Sequence, residues 1–228
     1  MPVTVRYRYL GLVDYDEALS LQRRLLDEVA ACGHRHGYIL GCEHPPVVTL
    51  GRSAREGHLL SPPEVLRRSG ISVRRADRGG DVTYHGPGQA VVYPVLPVGA
   101  IRRDVHWYLR MLEEAGIRLL SRYGIAAGRR EGLTGVWVGG NKIMAIGVAF
   151  RRWVSYHGLA LNVAGCLEGF RHIVPCGIRD RGVTSIERET GMEISVEEIC
   201  SGLAEELAAV LDLEPAPGKA PAIPFPRG

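Results

Sequence analysis

Three apolar runs follow one another between residues 133 and 163 with no helix-length stretch between them. This block most constrains the fold. Residues 133–138 and 142–151 are separated by Gly139-Gly140-Asn141, residue types that enter the left-handed backbone of a tight turn with little strain, so the two runs read as a β-hairpin. Residues 154–163 follow as a further strand. Around this block stand three amphipathic helices. Residues 14–32 carry an apolar stripe of Leu19, Leu25, Leu26 and Val29 behind an Asp14 cap with Glu17 three residues on. Residues 105–123 follow a capping Asp104, and residues 195–211 open with Ser195 and Glu198 in capping positions. Strands are expected at 3–10, 38–42, 47–50, 71–76 and 90–96, the second and third flanking the turn Glu43-His44-Pro45-Pro46. Residues 51–70 are polar and turn-rich, with a short helix near 63–68, and 165–185 read as a long loop. The expected fold class is α+β, with helices outside a mixed β-sheet.

Neither an internal repeat nor a linker divides the chain, so one domain is expected over residues 1–213. A tail over 214–228 holds five prolines and is expected to be extended or disordered. At 228 residues the chain is long enough to bury a core without disulfides or a structural metal. Apolar residues at 46% and charged residues at 23% place it among ordinary globular chains, and a net charge of +3 is too small to imply nucleic acid. The longest membrane candidate, residues 90–101, is broken by Pro94, Pro97 and Gly99. The sequence opens without a basic segment followed by an apolar one, so a cytoplasmic location and free thiols are expected for the five cysteines, and no membrane association. A monomer is expected. Of the 28 basic residues 26 are arginine, and Lys142 and Lys219 are the two lysines. Lysine changes its protonation with its surroundings and arginine does not, which sets Lys142 apart.

The densest chemistry lies in Arg78-Gly79-Gly80-Asp81-Val82-Thr83-Tyr84-His85-Gly86-Pro87-Gly88-Gln89. Four glycines in twelve residues let backbone N–H groups approach a ligand, beside an arginine, a histidine and several hydrogen-bonding groups. A ligand-lining loop and an elaborate structural turn both fit these residues. No phosphate-cradling Gly-x-x-x-x-Gly-Lys-Ser/Thr occurs. Among the cysteines, Cys200 falls within a helix, Cys32 at a helix end, Cys42 on a buried strand and Cys166 in a loop. Cys176 sits between Pro175 and Gly177, where a loop presents its side chain. On its own it is equally a loop thiol without consequence. Lys142 starts a buried strand, where low dielectric favours its neutral form, and it is equally a hairpin lysine reaching for water. Cys32, His34, His36, Cys42 and His44 match no zinc spacing, and no Gly-x-Ser-x-Gly elbow marks a serine hydrolase, so no metal site is expected.

Taken together, these segments resemble the lipoyl(octanoyl) transferases of lipoate biosynthesis. Arg78 to Gln89 resembles their glycine-rich motif, Gly140-Asn141-Lys142-Ile143-Met144-Ala145-Ile146-Gly147 their lysine segment, and His157-Gly158-Leu159-Ala160-Leu161-Asn162 the strand that follows. Val174-Pro175-Cys176-Gly177-Ile178 and Gly182-Val183-Thr184-Ser185 complete the series, in order, over residues 35–190. The segment at Cys166 departs from the pattern, where an acidic residue commonly precedes the leucine. The resemblance implies a catalytic domain of the biotin/lipoate protein ligase type. It implies Cys176 as nucleophile and Lys142 as its acid/base partner. It implies substrate contacts from Arg78, Gly79, Gly80, Asp81, Val82, Thr83, Tyr84 and His85, from Ala145, Ile146 and Gly147, and from Gly158, Leu159 and Ala160.

The expected reaction moves an octanoyl group from the phosphopantetheine thioester of acyl carrier protein to a lysine of a lipoyl domain. The acceptors implied are the E2 subunits of 2-oxoacid dehydrogenases and the H protein of glycine cleavage. Thioester exchange is nearly isoenergetic, so neither ATP nor a metal cofactor is expected. Small residues at Gly147, Gly158 and Ala160 are expected to leave room for the chain, and Arg102, Arg103, Arg129 and Arg130 are candidates for steering acidic partners. The alternatives are an ATP-dependent lipoate- or biotin-protein ligase of the same fold, which needs a nucleotide loop not recognised here, and a non-catalytic acyl-binding module.

Overall fold

The computed structural model describes residues 2–33, 35–55, 57–174 and 182–216. Its elements run, in order, β1 (Thr4–Leu12), α1 (Tyr15–Ala31), β2 (His36–Glu43), β3 (Val47–Leu50), α2 (Pro63–Arg68), β4 (Ser72–Arg75), β5 (Val82–His85), β6 (Gln89–Val95), α3 (Val98–Ile101), α4 (Val105–Arg122), β7 (Ala127–Arg130), β8 (Leu133–Val138), β9 (Asn141–Arg151), β10 (Val154–Asn162), a 3-10 turn (Leu167–His172), α5 (Ile186–Thr190), α6 (Val196–Val210) and β11 (Glu214–Pro215). Eight strands form one sheet in the order β11-β1-β2-β6-β10-β9-β8-β7, and β4-β3-β5 form a second, smaller sheet. In the large sheet β1 pairs in parallel with β2 and β11, and the pairs β2–β6, β6–β10, β10–β9, β9–β8 and β8–β7 are antiparallel. This is the mixed sheet flanked by helices that the sequence implied.

Both faces of the large sheet are covered, and the strands say so residue by residue. Along β6, Ala90 and Val92 enter the core shared with α4 and α6, beside Leu112, Leu119, Leu203 and Leu207, while Val91, Tyr93 and Val95 enter the core under α1, beside Leu21, Leu25, Leu26 and Val29. The alternation of period two delivers side chains to opposite faces, and a strand buried on both reads as one unbroken apolar run. The three long helices start where their caps predict. Asp14 accepts from the Asp16 N–H at 2.8 Å, Asp104 from Trp107 at 2.9 Å, and Ser195 from Glu198 at 3.1 Å.

The differences from expectation are all short elements. Val82–His85, inside the glycine-rich segment, is strand β5, paired antiparallel with β3. Four residues flanked by glycine on each side carry too little periodicity to stand out. β7, α3, α5 and the 3-10 turn at Leu167–His172, which lies within the expected loop, escape for the same reason. Glu214 and Pro215 add a parallel strand beside Thr4 and Val5, and residues 217–228 lie outside the described residues. Among the described residues, no helix is long and apolar enough to cross a membrane.

Candidate active site

A narrow cleft opens between the large sheet and the smaller one. Its floor is the α1 side of β6, β10 and β9, where Ala160 stands opposite both Val91 and Ala145, and Gly158 stands opposite Gly147. Its walls are Arg78, Gly80 and Asp81, then Val82, Thr83 and His85 of β5, with Tyr15 from the first turn of α1. The fold thus gathers three segments far apart in the chain. Of the substrate contacts implied by the sequence, Arg78, Gly80, Asp81, Val82, Thr83, His85, Ala145, Ile146, Gly147, Gly158, Leu159 and Ala160 line it.

Two expected contacts stand elsewhere. Gly79 is in the backbone scaffold, its N–H donating to the Val148 carbonyl at 2.9 Å. Tyr84 packs on Phe170 with ring centroids 5.6 Å apart, in the core of the smaller sheet with Val48, Leu66 and Ile173. Alternation along β5 sends Thr83 and His85 to one side and Tyr84 to the other. The small residues also need a correction. A Cβ on Gly147 would lie 2.9 Å from the Gly79 carbonyl oxygen, and one on Gly158 only 2.1 Å from that of Val92. The space at these glycines is taken by neighbouring backbone, so they make the close approach of the walls possible; Ala145 and Ala160 are the small side chains on the floor.

Arg78 is 8% exposed, and its guanidinium is clamped on β3: Nη2 donates to the Thr49 carbonyl at 2.7 Å and to Thr49 Oγ1 at 2.8 Å, and Nε to the same hydroxyl at 3.2 Å. This fixes the glycine-rich loop against the sheet. The opposite wall is aromatic. His44 Nδ1 bonds the Val13 carbonyl and its Nε2 bonds the Tyr93 hydroxyl, each at 2.7 Å. The Tyr15 ring lies parallel to that of His85 at 6.4 Å. Burial holds His44 below the ordinary histidine range, and burial with the neighbouring His44 takes His85 down to about 3. Burial raises the Tyr15 phenol to about 12.

Sequence reasoning missed Tyr15, Val91, Tyr93 and His157 in the lining. Tyr15 falls in the first expected helix outside its apolar stripe, and Val91, Tyr93 and His157 fall in expected strands. His157 has φ +56°, an uncommon conformation outside glycine, held by its N–H on Gln22 Oε1 at 2.8 Å. Its Nε2 bonds Asp77 Oδ1 at 2.7 Å, and the Tyr156 hydroxyl donates to Asp77 Oδ2 at 2.6 Å. Burial would raise the Asp77 carboxyl, but these two hydrogen bonds outweigh it and bring it to about 2. Burial lowers His157 against the opposing pull of Asp77. The adjacent Asp77-Arg78 and Tyr156-His157 pairs were the available signal.

Lys142 is 7% exposed and stands at the start of β9, the strand that carries Ala145 of the cleft floor. Its Nζ donates to the Thr134 carbonyl at 3.2 Å and sits 4.8 Å from the centre of the Trp137 ring. Its backbone is tied to the segment after residue 181: the Lys142 N–H donates to the Gly182 carbonyl at 3.0 Å and its carbonyl accepts from Thr184 at 3.1 Å. On the other side, the Val174 N–H donates to the His58 carbonyl at 2.8 Å. Cys176 falls in residues 175–181, outside the described residues. Of the described cysteines, Cys42, Cys166 and Cys200 are buried, and burial pushes the Cys166 and Cys200 thiols up to about 12 and Cys42 well above its usual value, which suits inert core thiols. Arg129 bonds Glu113 and Glu114, Arg102 bonds Asp104, and Arg103 and Arg130 lie over Trp153 and Trp137. Among the described residues, no group of three His, Cys, Asp or Glu side chains could hold a metal ion.

Residues 14–208 match the family described as the lipoyl protein ligase A/B catalytic domain. The chain is 46% identical over 215 residues to an octanoyltransferase of Chloroflexus aggregans, covering 93% of this chain and 97% of that one. It is also 46% identical over 215 residues to an octanoyltransferase of Solibacter usitatus, covering 92% and 94%. In fold it is similar to a bipartite lipoate protein ligase of Thermoplasma acidophilum, with a TM-score of 0.73 at 16% identity over 96% of this chain and 88% of that one. A lipoate-protein ligase A bound with ATP gives 0.70 at 17% identity over 97% and 90%. With the fold and nearly the whole length of the sequence in agreement, the chain belongs to the octanoyltransferases of the lipoyl protein ligase A/B catalytic-domain family, a group of acyltransferases.

Proposed function

We propose that the protein transfers an octanoyl group from acyl carrier protein to the lysine of a lipoyl domain through a thioester on Cys176. The observation that carries this reading is the cleft. It is mostly apolar, narrow, and bounded by the glycine-rich loop on one side and the β9–β10 floor on the other, and Lys142 belongs to the same strand β9.

In the first half-reaction the Cys176 thiolate attacks the donor thioester carbonyl. A carbon–sulfur bond forms, the carrier's carbon–sulfur bond breaks, and the carrier leaves as a thiol. In the second, the neutral ε-amine of the acceptor lysine attacks the acyl-enzyme. A carbon–nitrogen bond forms, Cys176 leaves as thiolate, and the ammonium proton is lost. Lys142 takes up the thiol proton, supplies it to the departing carrier, and then accepts the proton released by the amine. One thioester replaces another and an amide is the final product, so neither nucleotide nor metal enters. The apolar floor at Ala145 and Ala160 receives the alkyl chain.

The test is intact mass after incubation with octanoyl carrier protein and no ATP. The wild type should gain one octanoyl group, released by hydroxylamine, and Cys176→Ser should gain none. A hydroxylamine-sensitive adduct that survives in Cys176→Ser, or a strict need for ATP, would sink the proposal. Lys142→Ala should raise the pH at which Cys176 is alkylated; an unchanged profile removes Lys142 from its acid/base role.

A further inference from the structure

A line of buried polar side chains crosses the end of the large sheet where β9 begins, β10 ends and β6 begins. The Thr184 carbonyl accepts from Asn162 Nδ2 at 2.9 Å, Asn162 Oδ1 accepts from Gln89 Nε2 at 2.8 Å, and Gln89 Oε1 accepts from His85 Nδ1 at 2.7 Å. Asn162 stands directly opposite Gln89 in the strand register. The Thr184 N–H donates to the carbonyl of Lys142, so the line starts on the backbone of the proposed acid/base residue and ends in the cleft wall. Thr184, Asn162, Gln89 and His85 are all buried.

The direction of this line is fixed by chemistry. A backbone carbonyl only accepts, so Asn162 must turn its amide N–H toward Thr184 and its oxygen toward Gln89. Gln89 must then donate to Asn162 and, with the same nitrogen, to the Tyr84 carbonyl at 3.3 Å, which leaves its oxygen for His85. His85 therefore carries its proton on Nδ1. Its Nε2 keeps a lone pair, on a ring that lines the cleft.

We propose that His85 Nε2 accepts a hydrogen bond from the attacking amine during acyl transfer, and that Gln89 and Asn162 are positioning residues that hold it in that tautomer. This rests on the transferase reading. At the reacting carbonyl the donor thioester offers no N–H, whereas the acceptor amine does, so the second half-reaction is the one served. The groups facing the ring are Tyr15 from α1, His44 from the turn after β2, Arg78 from the glycine-rich loop, His157 from β10 and Gln89 from β6. Two further histidines and an arginine oppose a second positive charge there, and burial keeps the ring neutral. The amine gives up its proton to Lys142 as before, and His85 only orients what remains.

The two half-reactions are measured separately, as acylation by octanoyl carrier protein and as single-turnover transfer from octanoyl-enzyme to a lipoyl domain. Gln89→Leu should slow transfer at least tenfold more than it slows acylation. Gln89→Glu keeps an acceptor at Nδ1 but favours the imidazolium, so its transfer rate should acquire an inflection and recover as pH rises from 6 to 8.5. That shape does not depend on how much of the variant folds. Equal losses in both half-reactions, or a Gln89→Glu profile parallel to wild type, would overturn the assignment. A wild type that never becomes acylated would instead remove the transferase reading beneath it.

Discussion

Tyr15 has a hydroxyl shut away from water, on a residue 4% exposed, with no hydrogen-bond partner among the described residues. Its neighbour His44 is the contrast, with both ring nitrogens engaged by Val13 and Tyr93. A buried polar group left unmade costs about 1–3 kcal/mol. The Tyr15→Phe change removes that group while keeping the ring, so the melting temperature should hold or rise. If the bound acyl donor satisfies the hydroxyl, the same variant should raise KM for octanoyl carrier protein by roughly three- to tenfold, as loss of about one hydrogen bond implies. Thermal melts and saturation kinetics on one preparation check both halves. A fall in melting temperature with KM unchanged would mean that Tyr15 is plain core. Tyr93→Phe should behave in the opposite way and lose stability, because it leaves His44 Nε2 only the Cys42 thiol at 3.6 Å.

At the scale of elements, the Lys142 region depends on a carboxylate that comes from another part of the chain. Glu113 of α4 is 1% exposed and accepts from the Gly135 N–H of β8 at 3.0 Å, from Arg110 at 2.6 Å and from Arg129 of β7 at 3.1 Å. Gly135 follows Thr134, whose carbonyl holds Lys142 Nζ. Glu113→Ala leaves a buried N–H unpaired and should lower stability by about 2–3 kcal/mol, read by chemical denaturation. It should also loosen the lysine, so that the alkylation profile of Cys176 shifts as it does, to a greater extent, in Lys142→Ala. None of this was legible in the sequence, because Glu113 sits on a helix face that periodicity assigns to solvent or core without distinguishing a specific partner. What was legible were the elements with enough length to show a period: α1, α4, α6, the β8–β9 hairpin and β10. β5 and β7, four residues each, take their identity from pairing with a neighbour, which local pattern does not encode. The cleft shows the same division. The residues that line it were found where a motif carries them, at Arg78 to His85 apart from Gly79 and Tyr84, and at Ala145 to Gly147. They were missed where a core position, such as Tyr93, also faces the cleft.

Across the whole molecule, the cleft makes stability depend on pH in a direction that the buried groups dictate. His44, His85 and His157 have their protonation suppressed by burial, His85 down to about 3. In the unfolded chain each returns to about 6.5. Below that value the unfolded state binds protons that the folded state refuses, so stability falls as pH drops through 6.5, by up to about 1.4 kcal/mol per pH unit for each histidine that stays neutral. Asp77 adds a second, lower step. Its carboxyl is held near 2 against about 3.9 when unfolded, so its contribution is complete above pH 4 and disappears between about 4 and 2. The side chain is 43% exposed, and solvent screening makes this step the smaller one. The expected curve of melting temperature against pH is therefore flat from 8 to 7 and steepens from 6.5 downward, with His85 taking up close to one proton on unfolding near pH 5.5 and His44 and His157 adding to it in the same direction. Calorimetry in buffers of different ionisation enthalpy counts those protons, and imidazole NMR shows which rings remain neutral. Asp77→Asn should leave the upper step in place and remove only the lower one. An imidazolium signal from His85 in the folded protein at pH 6 would contradict the account, and with it the neutral acceptor proposed for His85.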